Sequence, residues 1–281
     1  MKSNPDSLEI EFNNCEFKNI PIDFNLSQTL FSGQPPHFIW NTFEKENGVS
    51  VFYRKFNSKY WFLYQEDSKT YTNQEFYFNS LDLFRFNDDY SKIRKSLRKD
   101  DTLSLAIDKF PNLRLTKSDF WESTVCYICS ANNNIGRIKK IVGSLFDDQG
   151  QITINPLLST SFLKSKGLGY RAEYLSDTAL KWSNGQFDIN KVKTLNHQQA
   201  KNELIKLKGI GPKVADCISL YGLGNTDSFP IDIWVQRAMT QFYGLTNHKQ
   251  IQEFACENWA NYSGYAQHYL FWYARVLNLH V

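Results

Sequence analysis

The stretch Asn202–Gly244, NELIKLKGIGPKVADCISLYGLGNTDSFPIDIWVQRAMTQFYG, decides how the rest of the chain is read. Its apolar spacing predicts a short helix ending near Leu207, a tight turn over Gly209, Ile210 and Gly211, and a second helix from Pro212 to about Gly222. Proline suits a first helical position, because the N–H it lacks would have no partner there. The two glycines let the backbone turn sharply and approach a ligand closely. N–H groups left free by the turn and the helix start then face outward and suit a phosphate. Such a hairpin argues by itself only for sequence-independent binding to a nucleic-acid backbone.

Two residues add chemistry. Lys213 falls in the first turn of the second helix, near the positive end of its dipole, which disfavours the ammonium and favours the nucleophilic amine. Asp232 follows Pro230 and opens a third helix, the place of an N-cap. Taken singly, the lysine is a surface residue and the aspartate only a cap. The second helix is roughly 15 Å long at about 1.5 Å per residue, and the connection from Leu223 to Ile231 spans up to ~30 Å. The chain therefore has the length to bring Asp232 beside Lys213, 19 positions earlier. An amine that attacks a sugar C1′ and a carboxylate that stabilises positive charge there suit glycosidic chemistry.

Around this segment the texture changes once. From about residue 90 onward, DLFRFNDDYSKIRKSL, FWESTVCYICS, IGRIKKIVGSLFDD and AEYLSDTALKW keep helical spacing. Before it, SVFYRKF, YWFLYQ and TYTNQEFYF are β-compatible runs separated by Asn, Ser, Lys and Asp. Their partial alternation suits an antiparallel sheet with one buried face. The expected fold class is α+β: an N-terminal antiparallel β-sheet domain over residues 1–110, then a mostly α-helical region over 111–281.

Composition bounds the function. At 281 residues and 42% hydrophobic, the chain has material for a full core, and most of its high 16% of aromatics reads as core, some as stacking surfaces for unstacked bases. A net charge of +3 excludes a histone-like or tail-driven DNA binder. The basic run KIRKSLRK (92–99) reads as a solvated helix face. Five scattered cysteines, at 15, 126, 129, 217 and 256, form no paired metal pattern, and Cys126-x-x-Cys129 lies in an apolar run that reads as helix packing. With no apolar stretch of ~18 residues and no signal-peptide pattern at its start, the chain reads as intracellular with reduced thiols.

The hairpin lysine followed by Pro230-Ile231-Asp232 resembles the helix-hairpin-helix, Gly/Pro, Asp superfamily of DNA glycosylases. CSANNNIGRI (129–138), GLGYRAEY (167–174), GIGPKVADC (209–217) and GYAQHYLF (264–271) are similar to its eukaryotic-type 8-oxoguanine branch, with SGQ (32–34) a weaker match. The resemblance implies a bifunctional glycosylase and abasic-site lyase acting on duplex DNA with 8-oxoguanine opposite cytosine. Lys213 would be the nucleophile and Schiff-base residue, and Asp232 would stabilise the oxocarbenium ion. Asn132 would fill the gap left in the duplex and Tyr170 would wedge the stack open. Arg137 and Arg171 would bond the orphaned cytosine, while Gly209 and Gly211 shape the backbone-binding hairpin. Gln267 would pair with the extruded base, sandwiched between Phe271 and Cys217.

The carbonyl of Gly33 would read the lesion, because 8-oxoguanine carries a hydrogen on N7 where guanine presents a lone pair. An unpaired buried acceptor costs ~1–3 kcal/mol, enough for roughly ten- to hundredfold discrimination. No metal or other cofactor is implied: related branches place four cysteines for an iron–sulfur cluster near the C-terminus, where only Cys256 stands here. A monomer located with the genomic DNA, in cytoplasm or nucleus, is the expectation. Another damaged purine as substrate, or a hairpin that binds DNA without cutting it, are the alternatives. Three departures from the branch stand out: PPHFIW (35–40) after Gln34, Trp234 where relatives often carry histidine, and Tyr221 where many carry methionine.

Overall fold

The structure, a computed structural model, describes residues 5–279. Five antiparallel strands form one sheet, β1 (Phe17–Ile20), β2 (Asn41–Glu44), β3 (Ser50–Phe56), β4 (Lys59–Glu66) and β5 (Lys69–Asn73), in the order β1-β5-β4-β3-β2. The β3–β4 and β4–β5 hairpins turn through two residues each, Asn57-Ser58 and Asp67-Ser68, all at positive φ. That geometry matches the right-handed twist of the strands, and short polar side chains tolerate it best.

Both faces of the sheet are covered, not one. Val51 and Phe62 pack with Leu8 and Phe12 of the helix Pro5–Asn13, while Phe52, Trp61 and Leu63 belong to the main core. Three successive buried residues in β4, Trp61, Phe62 and Leu63, explain why the alternation in the sequence is only partial. The β reading also overruns: β5 stops at Asn73, and QEFYF, at 74–78, enters a 3-10 turn and the helix Tyr77–Leu83. Two short helices, Leu26–Leu30 and Pro35–Ile39, interrupt the β-rich stretch between β1 and β2. Gly33 sits in the turn between them.

The helical part wraps around Phe120–Ser130, in which every residue from Phe120 to Cys129 is buried. Glu122 of this helix holds Arg54 of β3 in a two-pronged buried ion pair at 2.9 and 2.5 Å, tying sheet to helices. One continuous hydrophobic core runs from Ile20 to Leu279. Cys126 and Cys129 are buried in it as free thiols. The basic run forms the helix Tyr90–Leu97, burying Ile93 and Leu97 with its charged residues turned outward. Among the described residues no helix is long and apolar enough to cross a membrane.

Candidate active site

The hairpin forms from His197–Ile205 and Pro212–Ile218. The first helix starts on a reciprocal cap between Asn196 and Gln199. Asp216 locks the two helices from behind: its buried carboxylate meets Lys201 Nζ at 2.8 Å and His197 Nε2 at 3.3 Å. Burial raises the Asp216 pKa to about 6 against the pull of Lys201.

In the turn, Gly209 has φ +80° and its Cα faces the ring of Tyr174, where a Cβ would lie 2.2 Å from Cδ2. Neither the backbone nor the space admits a side chain. Gly209→Ala is therefore expected to destabilise the protein by about 1–3 kcal/mol, read as a lower urea midpoint. An alanine variant with an unchanged midpoint would show that the turn is slack.

Past Ile218 the lysine helix widens into a π-helical turn, Ser219–Leu223, ending at Gly224 in the left-handed region. Such turns recur at functional sites, and here it brings Tyr221 onto the cavity wall. The chain then returns to Asp232, whose Oδ1 caps the helix Ile233–Tyr243 by accepting from the N–H groups of Trp234 (3.0 Å) and Val235 (2.8 Å).

Lys213, Cys217, Asp232, Gly33, Gln267 and Phe271 all line one cavity of about 650 Å³. This volume falls within the usual range for small-molecule pockets, about 300–1,000 Å³. Four parts of the chain supply its walls: the Gly33 turn with Phe38, the stretch from Tyr127 to Ile138, the hairpin with Asp232, and the helix Ser263–Val276. Lys213 and Cys217 share a face of the lysine helix, and the Lys213 ammonium lies 5.5 Å from the ring centre of Tyr127.

Burial pushes the Cys217 thiol up to about 12 against the opposing charge of Lys213, so it is a neutral apolar surface at neutral pH. Burial likewise raises the Asp232 carboxyl, while Lys213, the two backbone N–H groups and Arg275 pull it back down. Gln267 is 4% exposed, and its Oε1 has no partner among the described residues. Phe271 closes on Gly33: a Cβ there would lie 2.7 Å from Cε1 of the ring, and Gly33 has φ +86°.

At the cavity's edge, which Asn132 itself lines, lies a second group. Asn132, at φ +47°, donates from Nδ2 to the hydroxyl of Tyr170 at 3.4 Å, and Tyr170 is 48% exposed. Arg171 is buried. Its Nε and Nη2 bond the carbonyls of Ala131 and Asn132, leaving Nη1 outside those bonds. Arg137 is exposed, with Nη2 3.3 Å from the carbonyl of Gly167. Gly211 is the exposed N-cap of the lysine helix.

Four wall or support residues were not singled out in the sequence. Tyr127 lies in the apolar helix Phe120–Ser130, where it reads as core packing. His37 accepts the Gly33 N–H at 3.1 Å and is held neutral by burial, with a pKa lowered to about 4. Arg275 continues the face of Gln267 and Phe271 at four-residue spacing, a periodicity from which it is recoverable. His268, next to Gln267, is buried behind the wall.

A lysine on a hairpin helix, a capping aspartate and a cavity large enough for a base define a helix-hairpin-helix glycosylase site. The comparisons with known proteins point the same way. MBOgg1, solved with a low-affinity DNA ligand, superposes with a TM-score of 0.82 at 30% identity, over 94% of this chain and 99% of that one. The Clostridium acetobutylicum 8-oxoguanine glycosylase/lyase, solved with double-stranded DNA containing cytosine opposite the lesion, gives 0.82 at 29% identity, over 94% and 98%. A probable N-glycosylase/DNA lyase of Methanothermobacter thermautotrophicus is 38% identical over 115 residues, 40% of this chain and 36% of the relative. Against three curated relatives the matched part of the chain spans 36%, 56% and 51% of their lengths. No protein-family model matches. The chain belongs to the 8-oxoguanine glycosylase/lyase family of the helix-hairpin-helix, Gly/Pro, Asp superfamily.

Proposed function

We propose that this chain is a bifunctional DNA glycosylase and abasic-site lyase that removes 8-oxoguanine paired with cytosine in duplex DNA. The observation that carries the reading is the convergence of Lys213 and Asp232 with Gly33, Cys217, Gln267 and Phe271 on one cavity. A module that only holds phosphates needs neither the lysine nor the aspartate.

The extruded base lies between Phe271 and the Cys217 thiol, and the orphaned Gln267 amide meets its Watson–Crick edge. Lys213 Nζ forms a bond to C1′ as the C1′–N9 bond breaks, and the electron pair leaves with the base, which takes up a proton. Asp232 Oδ2, not engaged in the cap, faces the positive charge that develops on the sugar. The C1′–lysine adduct loses its ring C–O bond to give an imine. Loss of a C2′ proton then expels the 3′ phosphate, and water releases the lysine with a nicked strand.

Asn132 and Tyr170 occupy the space the base has left. Arg137 and the free Nη1 of Arg171 meet the cytosine, and the hairpin at Gly209 and Gly211 holds the backbone. The protein acts as a monomer wherever the genomic DNA lies, and residues 1–110 and 111–281 are its two regions.

Borohydride trapping on a duplex with one 8-oxoguanine opposite cytosine tests this reading. A covalent complex is expected; base release with an intact abasic strand instead would make the enzyme monofunctional. Gly33→Ala forces a side chain onto Phe271 and so is expected to cut base excision by on the order of a hundredfold, while cleavage of a ready-made abasic strand changes little. Equal loss on both substrates would remove Gly33 from base reading.

A further inference from the structure

The residues flanking Gly33 are fixed from behind by a buried hydrogen-bond chain that crosses the molecule. Ser32 and Gln34 are both fully buried. Ser32 Oγ lies 3.2 Å from the carbonyl of Thr29, 3.1 Å from Gln34 Nε2 and 3.1 Å from His268 Nε2. Ser32 Oγ thus joins the Thr29 carbonyl, the Gln34 amide and His268 Nε2 at one buried point.

His268 Nδ1 lies 3.4 Å from the Tyr221 hydroxyl, so the imidazole bridges Ser32 and Tyr221, one ring nitrogen donating and the other accepting. Gln34 is anchored at its other end. Its Nε2 donates to the carbonyls of Thr29 (3.0 Å) and Arg114 (2.9 Å), and its Oε1 accepts from the N–H (2.6 Å) and hydroxyl (3.0 Å) of Thr116. His268 is 2% exposed, and burial holds it neutral with a pKa lowered to about 3.

We infer that Tyr221, His268 and Ser32 are positioning residues that set the Gly33 peptide against the base cavity and thereby its selectivity for the oxidised purine. The inference rests on the proposed base-excision function and adds to it His268 and Ser32, which lie behind the cavity wall, and Tyr221, which joins them to it. Gly33 is the tip of a turn whose two neighbours point away from the cavity into a satisfied polar chain. The chain's far end is Tyr221 on the π-helical turn of the lysine helix, and its middle is His268, adjacent to Gln267. The reading group, the nucleophile's helix and the pairing amide thus share one rigid backing. A reading group misplaced by more than about 0.5 Å loses its selectivity.

Single-turnover rates on two duplexes test this, one with 8-oxoguanine opposite cytosine and one with a ready-made abasic site. His268→Leu removes both bonds of the imidazole, whereas His268→Gln keeps an amide donor near the Nε2 position. Excision is expected to fall about tenfold in His268→Leu and to recover in His268→Gln, with abasic cleavage within about twofold of wild type throughout. Ser32→Ala gives the same readout with one atom removed, should the leucine variant fail to fold. Unchanged excision in the folded variants overturns the inference. So does a parallel loss of excision and abasic cleavage, which is what a merely structural histidine predicts. Wild type unable to excise 8-oxoguanine overturns instead the function on which the inference stands.

Discussion

The Lys213→Gln protein is expected to give no borohydride-trapped complex with a lesion-bearing duplex, and strand cleavage at least about 10³-fold below wild type. Removing a covalent nucleophile deletes a step, whereas removing a contact only weakens one, so the loss corresponds to about 4 kcal/mol or more of barrier. The variant is a clean one. Lys213 is half-buried in the first helical turn, and Asp216, Lys201 and His197 lock the hairpin without it. Duplex binding should therefore survive within severalfold, since the backbone is held by the hairpin at Gly209 and Gly211 rather than by Lys213. Residual trapping in the variant would place the imine on another amine.

Asp232→Asn is the second large effect, expected to slow base excision on the order of 10² to 10³-fold. Asparagine caps a helix as well as aspartate, so the bonds to Trp234 and Val235 persist and the fold stays intact. What disappears is the charge facing the sugar. Burial raises the Asp232 pKa, so the carboxylate is present above that raised value and is lost as pH falls through it. Wild-type excision should accordingly decline on the acid side from a pH above the ordinary carboxylate range, and the asparagine variant should lack that limb. Arg275 favours the ionised form, so Arg275→Gln should move the limb to higher pH. A limb that stays in place would show that another group titrates there.

How much of this was legible in the chain differs between its two ends. The hairpin was readable because its geometry depends on local chemistry: Gly209 for the positive φ, Pro212 for the helix start, Asp232 for the next cap. The same holds for Ile135–Gly143, whose apolar spacing matches the burial observed, whereas Phe120–Ser130 is buried all round, its Glu122, Ser123 and Thr124 included. The β-rich part was readable as strands but not in extent. Leu26–Leu30 and Pro35–Ile39 are only five residues each, too short for periodicity to mark, and QEFYF is as compatible with a strand as with the turn and helix it forms.

The cavity walls were partly hidden for a different reason. His37, His268 and Tyr127 acquire their meaning only from partners far along the chain, and no local pattern announces a pairing across 236 positions such as Ser32 with His268.

That separation has a consequence for how the protein comes into being. Synthesis produces the sheet and the Gly33 turn first, the lysine hairpin much later, and the helix carrying Gln267 and Phe271 later still. Until that last helix docks, the cavity lacks the wall that Gln267 and Phe271 supply. The contacts that complete the pocket are among the most non-local in the chain, the kind that form slowly. Under the roles proposed above, the base-reading wall is therefore completed only after the lysine hairpin is already formed.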